Sequence, residues 1–213
     1  MKKVYLISGL GADKRIFSYL DLSFCEPVFL NWIPPLKNET LPSYAARLRE
    51  QIPDIAPVIT GISFGGMLAT EIAKADAAVR AILISSNKTH AELPRYFAAV
   101  KYFPLYRWVP ASLSKNFVRR FAGILGGTNP AEKKLLESVI RDSDISFVRW
   151  AIDAILHWDN RDIPPNLVHI HGTADKLLPI RHVKADYTIQ DGTHVMTLDK
   201  HAEVSRLLRR LIE

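Results

Sequence analysis

Four short apolar runs in the first half of the chain are rich in β-branched and aromatic residues: VYLIS over 4–8, PVFLNW over 27–32, PVIT over 57–60 and AILISS over 81–86. Runs of this length and composition read as buried strands. Between them apolar positions recur at helical spacing, in DKRIFSYLDL from Asp13, in LPSYAARLREQI from Leu41 and in the stretch after Ser63. Alternating strands and helices predict a mostly parallel sheet flanked by helices, because a parallel pair needs a crossover long enough to hold one. From Lys88 to about Asn160 only helical patterns occur. Asn129-Pro130-Ala131-Glu132 is a helix start, with a capping side chain, proline at the first helical position and an acid three residues after the cap. Leu135, Leu136, Val139 and Ile140 then form its apolar stripe, and a second helix is predicted from about Asp144 with Val148, Ile152, Ile155 and Leu156 on one side. Strand character returns in NLVHIHG over 166–172 and DYTIQ over 186–190. The chain closes on EVSRLLRRLIE, where Val204, Leu207, Leu208 and Leu211 face a core. The pattern predicts an α/β core in two parts, 1–87 and 161–213, separated by a helical insertion over 88–160.

Composition narrows the class. With 213 residues, 48% hydrophobic and 23% charged, the chain is long enough for one sizeable core and too apolar to stay disordered. Its single cysteine, Cys25, leaves no internal disulfide and no cysteine cluster for zinc, so a cytoplasmic location is expected, with Cys25 as a small buried hydrophobe. Met1-Lys2-Lys3 before VYLISGLGA has the basic start and apolar stretch of a short signal peptide. Two glycines inside the stretch and the charges at Asp13, Lys14 and Arg15 directly after it favour a first strand instead. No apolar run approaches the roughly 18 residues of a spanning helix, so no membrane partner is expected. The net charge of +6 is spread along the chain without a dense basic run among exposed aromatics, which points to solvated faces rather than a nucleic-acid surface.

The candidate chemistry lies at a break between strand and helix. In VITGISFGGMLATEIAKAD over 58–76, Gly61-Ile62-Ser63-Phe64-Gly65 matches G-x-S-x-G at the point where that motif has mechanical meaning. The turn is so tight that its central residue takes a strained backbone, and only small neighbours let the chain pass. A serine presented this way is a candidate nucleophile, and it needs a base, itself oriented by a third group. Of seven histidines, His90 and His157 lie in the insertion, and His182 and His201 read as surface residues. His169 and His171 alternate with apolar residues inside a strand and read as core histidines, a metal site with Asp175 being the weaker reading. His194, in Gln190-Asp191-Gly192-Thr193-His194, occupies a polar loop between the last strand and the last helix and is the candidate base. Asp175, in His171-Gly172-Thr173-Ala174-Asp175, directly follows a strand and is the candidate acid. The backbone N–H of Phe64 and that of Leu10, in Ser8-Gly9-Leu10-Gly11, are candidate oxyanion donors. A dinucleotide loop is the rival reading of Gly9-x-Gly11, but position 14 is lysine where a third glycine is expected.

GISFGG, HGTAD, DGTH and SGLGAD, in their order along the chain, resemble the nucleophile, acid, histidine and oxyanion loops of the α/β-hydrolase superfamily, over about residues 1–87 and 161–213. The resemblance implies that the insertion is a helical cap over the site. It also implies that the chain begins at the third strand of that fold, with a correspondingly smaller sheet. Ser8 stands where the oxyanion loop usually carries histidine.

The expectation is a serine hydrolase that cleaves a carboxylic ester or thioester of a small or medium acyl substrate, with Ser63 as nucleophile, His194 as base and Asp175 as acid. No metal or organic cofactor is implied, and the partner is a small molecule. The same three residues also suit a C–C bond hydrolase or a lyase, and the scaffold suits a catalytically silent binding protein. A dehalogenase with an aspartate nucleophile is disfavoured by Ser63. The insertion is rich in aromatics (Tyr96, Phe97, Tyr102, Phe103, Tyr106, Trp108, Phe117, Trp150 and Trp158) and carries more Lys and Arg than Asp and Glu. Two readings stand: an apolar acyl pocket with a basic rim, or a cap that uses the aromatics for its own core.

Overall fold

The computed structural model describes residues 1–103 and 115–213. Six strands, β1 (Lys3–Ile7), β2 (Glu26–Phe29), β3 (Val58–Ile62), β4 (Arg80–Ile84), β5 (Leu167–Gly172) and β6 (Tyr187–Ile189), form one sheet in the order β2-β1-β3-β4-β5-β6. All five pairings are parallel, so the expected mostly parallel sheet is wholly parallel among the described residues. Successive strand residues point to opposite faces, and the two faces are buried separately. Tyr5, Ile7, Ile59, Ala81 and Leu83 meet α1 (Leu41–Arg49) and α2 (Phe64–Ala75) on one side. Val4, Leu6, Ile82, Ile84 and Ile170 meet α8 (His201–Ile212) on the other, through Val204, Leu208 and Leu211. Cys25 is buried, 2% exposed, with its thiol on Leu22 O at 3.5 Å.

The chain direction across the sheet reverses at β1, which pairs with β2 on one side and β3 on the other. Loops leaving the carboxyl ends of β1 and β3 therefore diverge and open a crevice, the usual ligand position in a doubly wound sheet. Between β4 and β5 the chain forms α3 (Tyr96–Tyr102), α4 (Lys115–Leu125), α5 (Pro130–Arg141) and α6 (Ile145–Leu156), while the two strands pair directly, Ala81 opposite Leu167. The sequence signals at these helices are realised. Asn129 Oδ1 accepts from Glu132 N at 3.0 Å, Glu132 Oε2 accepts from Asn129 N at 3.3 Å, and Asp144 caps α6. A short helix, α7 (Met196–Asp199), precedes α8. No helix among the described residues is long and apolar enough to cross a membrane.

Three elements differ from expectation. The helix predicted from Asp13 is one 3-10 turn, Lys14–Phe17. Asp21 N–H donates to Ser205 Oγ on α8 and the Asp21 carboxylate accepts from Ser23 N, so backbone groups that a longer helix would use are engaged elsewhere. The run 27–32 leaves the sheet after Phe29, and Trp32 turns inward to stack on Phe147, with ring centroids 4.8 Å apart. The strand over 81–86 stops at Ile84 because Ser85 takes a left-handed backbone (φ 49°).

Asn129→Ala removes the side-chain half of the capping box of α5, leaving the backbone N–H of residue 129 on Glu132, and is expected to cost about 1 kcal/mol, a fall in Tm of about 2–4 °C. A melt indistinguishable from wild type would show that the cap contributes nothing.

Candidate active site

Ser63 sits between β3 and α2 with φ 52° and ψ −118°, a conformation costly for any residue with a Cβ. The surroundings hold it there. Its N–H donates to Ile84 O (2.9 Å), and its carbonyl accepts from Gly66 N (2.9 Å) and from the Ser86 hydroxyl (2.6 Å). Each glycine of the motif has a steric reason. A Cβ on Gly61 would lie 2.2 Å from Gly65 O, one on Gly65 would lie 2.4 Å from both Ile7 O and Ser8 O, and one on Gly66 would lie 2.5 Å from Ser86 Oγ.

The other two candidates arrive on loops zipped together by backbone. A Cβ on Gly172 would lie 2.1 Å from Gly192 O, Ala174 N–H donates to that same oxygen (3.0 Å), and Asp191 N–H donates to Thr173 Oγ1 (2.8 Å). This contact carries Asp175 and His194 to the elbow. His194 Nδ1 lies 2.8 Å from Asp175 Oδ2 and Nε2 lies 2.9 Å from Ser63 Oγ. A carboxylate only accepts, so Nδ1–H is the donor to Asp175 and Nε2 accepts the Ser63 hydroxyl proton. The three residues form one hydrogen-bonded chain.

Asp175 is 4% exposed, and its Oδ1 accepts from the N–H groups of Leu177 (2.9 Å) and Leu178 (2.8 Å). Burial alone would raise its pKa; the facing His194, the Leu178 amide and His171 outweigh it and hold the carboxyl below its ordinary range. His169 and His171 are core residues as expected, and His171 also stands against the acid, its Nε2 3.4 Å from Asp175 Oδ2. That contact was not read from the sequence, although alternation along β5 places both imidazoles on one face. Burial pushes His169 well below the usual imidazole range, with the His171 ring and Lys88 adding to it, and burial lowers His171 too. Among the described residues no group of three or more His, Cys, Asp or Glu is arranged to hold a metal ion.

The loop after β1 lies against the serine, a Cβ on Gly9 falling 3.5 Å from Ser63 Cβ. Ser8, where the oxyanion loop of the superfamily usually carries histidine, donates its hydroxyl to Ala12 O (2.8 Å), which also accepts from Trp32 Nε1 (2.7 Å). Gly11 has φ 68°, and its carbonyl accepts from Ser143 Oγ at the end of α5. The loop is thus fixed from the sheet and from the insertion together. Among the described residues, the N–H groups of Leu10 and Phe64 donate to no protein acceptor.

These groups open onto a cavity of about 470 Å³. Its lining includes Leu10, Phe64, Met67, Phe97 and Phe121, with Leu136 and Val139 from α5 and Val148 and Ile152 from α6; Arg141 and Arg149 also reach it. The aromatics divide between the two readings. Trp150 stacks on Tyr44 (4.4 Å between centroids) and Trp158 is buried with its Nε1 on Glu71 (2.7 Å), so both build core. Tyr96 donates to Leu177 O, while Tyr102 and Phe103 are exposed. Tyr106, Trp108 and the side chain of Phe117 lie outside the described residues.

A parallel sheet with a strained G-x-S-x-G turn, a Ser-His-Asp hydrogen-bonded chain at its carboxyl edge and helices inserted after β4 defines the α/β-hydrolase class. The model of the alpha/beta hydrolase family matches residues 4–207, and the chain belongs to that family. It is similar to a thermophilic esterase from Thermogutta terrifontis in its malate-bound form, at 16% identity over 100% of this chain and 89% of that one, with a TM-score of 0.78. It is similar to an esterase from Exiguobacterium antarcticum at 14% identity, over 99% and 91% of the two chains, with a TM-score of 0.78. A carboxylesterase structure from Nitrososphaera gargenis aligns at 14% identity over 99% and 89%, with a TM-score of 0.76. At these identities the likeness is one of fold. No curated protein matches the chain in sequence.

Gly61→Ala is expected to destabilise the protein by about 3 kcal/mol or to prevent folding, because backbone, not a flexible side chain, must give way; an unchanged urea midpoint would contradict the packing at the turn. The buried histidines set a pH dependence. Their folded pKa values lie below the unfolded value of about 6.5, so the unfolded chain binds more protons there and stability is full above that pH and lost as pH falls below it. Guanidinium unfolding between pH 7.5 and 5.5 should show a decline approaching about 1.4 kcal/mol per pH unit for each histidine that remains neutral. A flat profile would mean that His169 and His171 charge freely in the fold.

Proposed function

We propose that the protein is a serine hydrolase that transfers the acyl group of an apolar carboxylic ester or thioester to water. The observation that carries this reading is the single imidazole of His194, bonded at 2.9 Å to Ser63 Oγ and at 2.8 Å to Asp175 Oδ2, beside an apolar cavity. Ser63 attacks the carbonyl carbon while His194 Nε2 takes its proton; Asp175 keeps the imidazole in the right tautomer and stabilises the imidazolium. The N–H groups of Phe64 and Leu10, which donate to no protein acceptor among the described residues, receive the oxyanion in this reading, each such donor being worth roughly 3–4 kcal/mol. His194 then protonates the leaving oxygen or sulfur, and water repeats the sequence on the acyl-enzyme.

The cavity supports a medium acyl chain over a short one. At about 470 Å³ it falls within the range of roughly 300–1,000 Å³ typical of small-molecule sites, and an acetyl group leaves most of its apolar wall bare. Each buried methylene contributes about 0.8 kcal/mol, close to fourfold. kcat/KM on p-nitrophenyl esters is therefore expected to rise by up to about fourfold per added methylene until the pocket is full. Ser63→Ala should lower kcat by at least about 10³-fold and abolish labelling by a fluorophosphonate, with the fold intact. Undiminished turnover in that variant sinks the assignment, and labelling of the wild type without ester turnover would keep the nucleophile but move the substrate class.

A further inference from the structure

Behind the Ser63, His194 and Asp175 chain lies a second pair of imidazoles that the hydrolytic steps leave unused. His169 and His171 are 0% exposed, neighbours on one face of β5. His171 Nε2 lies 2.7 Å from Leu178 O and 3.4 Å from Asp175 Oδ2. Both oxygens only accept, so Nε2 carries a proton, and the hydrogen bond it makes is the short one to Leu178 O. The groups that face this ring are Asp175 and Glu92, which favour a charge on it, and His194 and His169, with Lys88 beyond His169; burial outweighs the acids and keeps the ring neutral at pH 7. A neutral ring protonated at Nε2 has a bare Nδ1, which faces His169 Nε2 at 3.2 Å, an atom that also accepts from the Ser86 N–H at 3.4 Å.

The consequence falls on the carboxylate. Leu177 and Leu178 amides fix Oδ1, and His171 stands beside His194 on Oδ2, so the plane of the group is held from both ends. His171 also holds the carbonyl of Leu178, whose side chain lines the cavity. Resting on the reading of Ser63, His194 and Asp175 as the working triad, we propose that His171 is a positioning residue for it: through its grip on the Leu178 carbonyl, next to the amide that holds Oδ1, and through the Nε2–H edge beside Oδ2, it aims Asp175 at His194 and limits how strongly the acid draws the His194 proton.

A purely structural His171 would affect folding and nothing else. His171→Leu removes the donor, whereas His171→Gln keeps one, its amide nitrogen reaching the place of Nε2. NMR titration of the His194 ring reads the effect without turnover, and ester hydrolysis reads kcat and KM. With the Nε2–H dipole lost from beside Oδ2 and the Leu178 carbonyl released, the charge opposite His194 is less shared. The His194 midpoint and the acid limb of kcat/KM should then move up by about half a pH unit in the Leu variant. kcat should fall on the order of tenfold with KM within about twofold of wild type. The Gln variant should restore both. If the Leu variant does not fold, His171→Asn, whose shorter amide does not reach Leu178, is read in the same way. A folded Leu or Asn variant with the wild-type midpoint and kcat overturns the proposal, and so does a folded Gln variant with a displaced midpoint. Wild-type protein that neither hydrolyses esters nor takes a fluorophosphonate at Ser63 refutes the triad reading itself; an unshifted titration in an active enzyme refutes the role of His171 alone.

Discussion

Backbone packed directly against backbone, with no side chain between, is the constraint on which the carboxyl edge of the sheet depends. Gly61 abuts Gly65, Gly65 abuts the carbonyls of Ile7 and Ser8, and Gly172 abuts Gly192, each so closely that a single Cβ would fall 2.1–2.4 Å from a backbone oxygen. These contacts draw the ends of β1, β3, β5 and the loop after β6 inside the distances that hydrogen bonds require. Ser63, His194 and Asp175 lie far apart in sequence, yet meet with bonds of 2.8 and 2.9 Å because their supporting loops have nowhere else to go. The strain at Ser63 is carried by the same packing, since its N–H and carbonyl are both tied to neighbouring elements.

Much of this is legible along the chain because it is local. β-Branched composition marks the buried strands, and the glycines flanking Ser63 and preceding Asp175 and His194 mark the turns. The capping box at Asn129 and Glu132 shows where α5 begins. What escapes a linear reading is set by partners distant in sequence. Trp32 has the composition of a strand residue but is drawn out of the sheet by Phe147 and Ala12. The turn after Asp13 stays short because Ser205, almost two hundred residues away, takes the Asp21 amide. His171 reads as an ordinary core histidine until β5 and the following turn are folded, when its ring meets Asp175.

The acid illustrates how a carboxylate is kept ionised in a dry place without a cationic side chain. Asp175 is buried, and the groups on its two oxygens are two amides and two imidazoles. Such an arrangement is neutral apart from the carboxylate itself, so the charge is spread over fixed dipoles rather than cancelled. A guanidinium or ammonium in the same position would satisfy the carboxylate at least as well and would leave it with little attraction for a neighbouring imidazolium.

The bond from Ser143 to Gly11 joins the inserted helices to the loop after β1. The inserted helices therefore do more than line the cavity. A chimera carrying a foreign helical segment between β4 and β5 would lose a tether on the very loop that carries the Leu10 amide, and transplanting selectivity into this scaffold requires transplanting that hydroxyl as well.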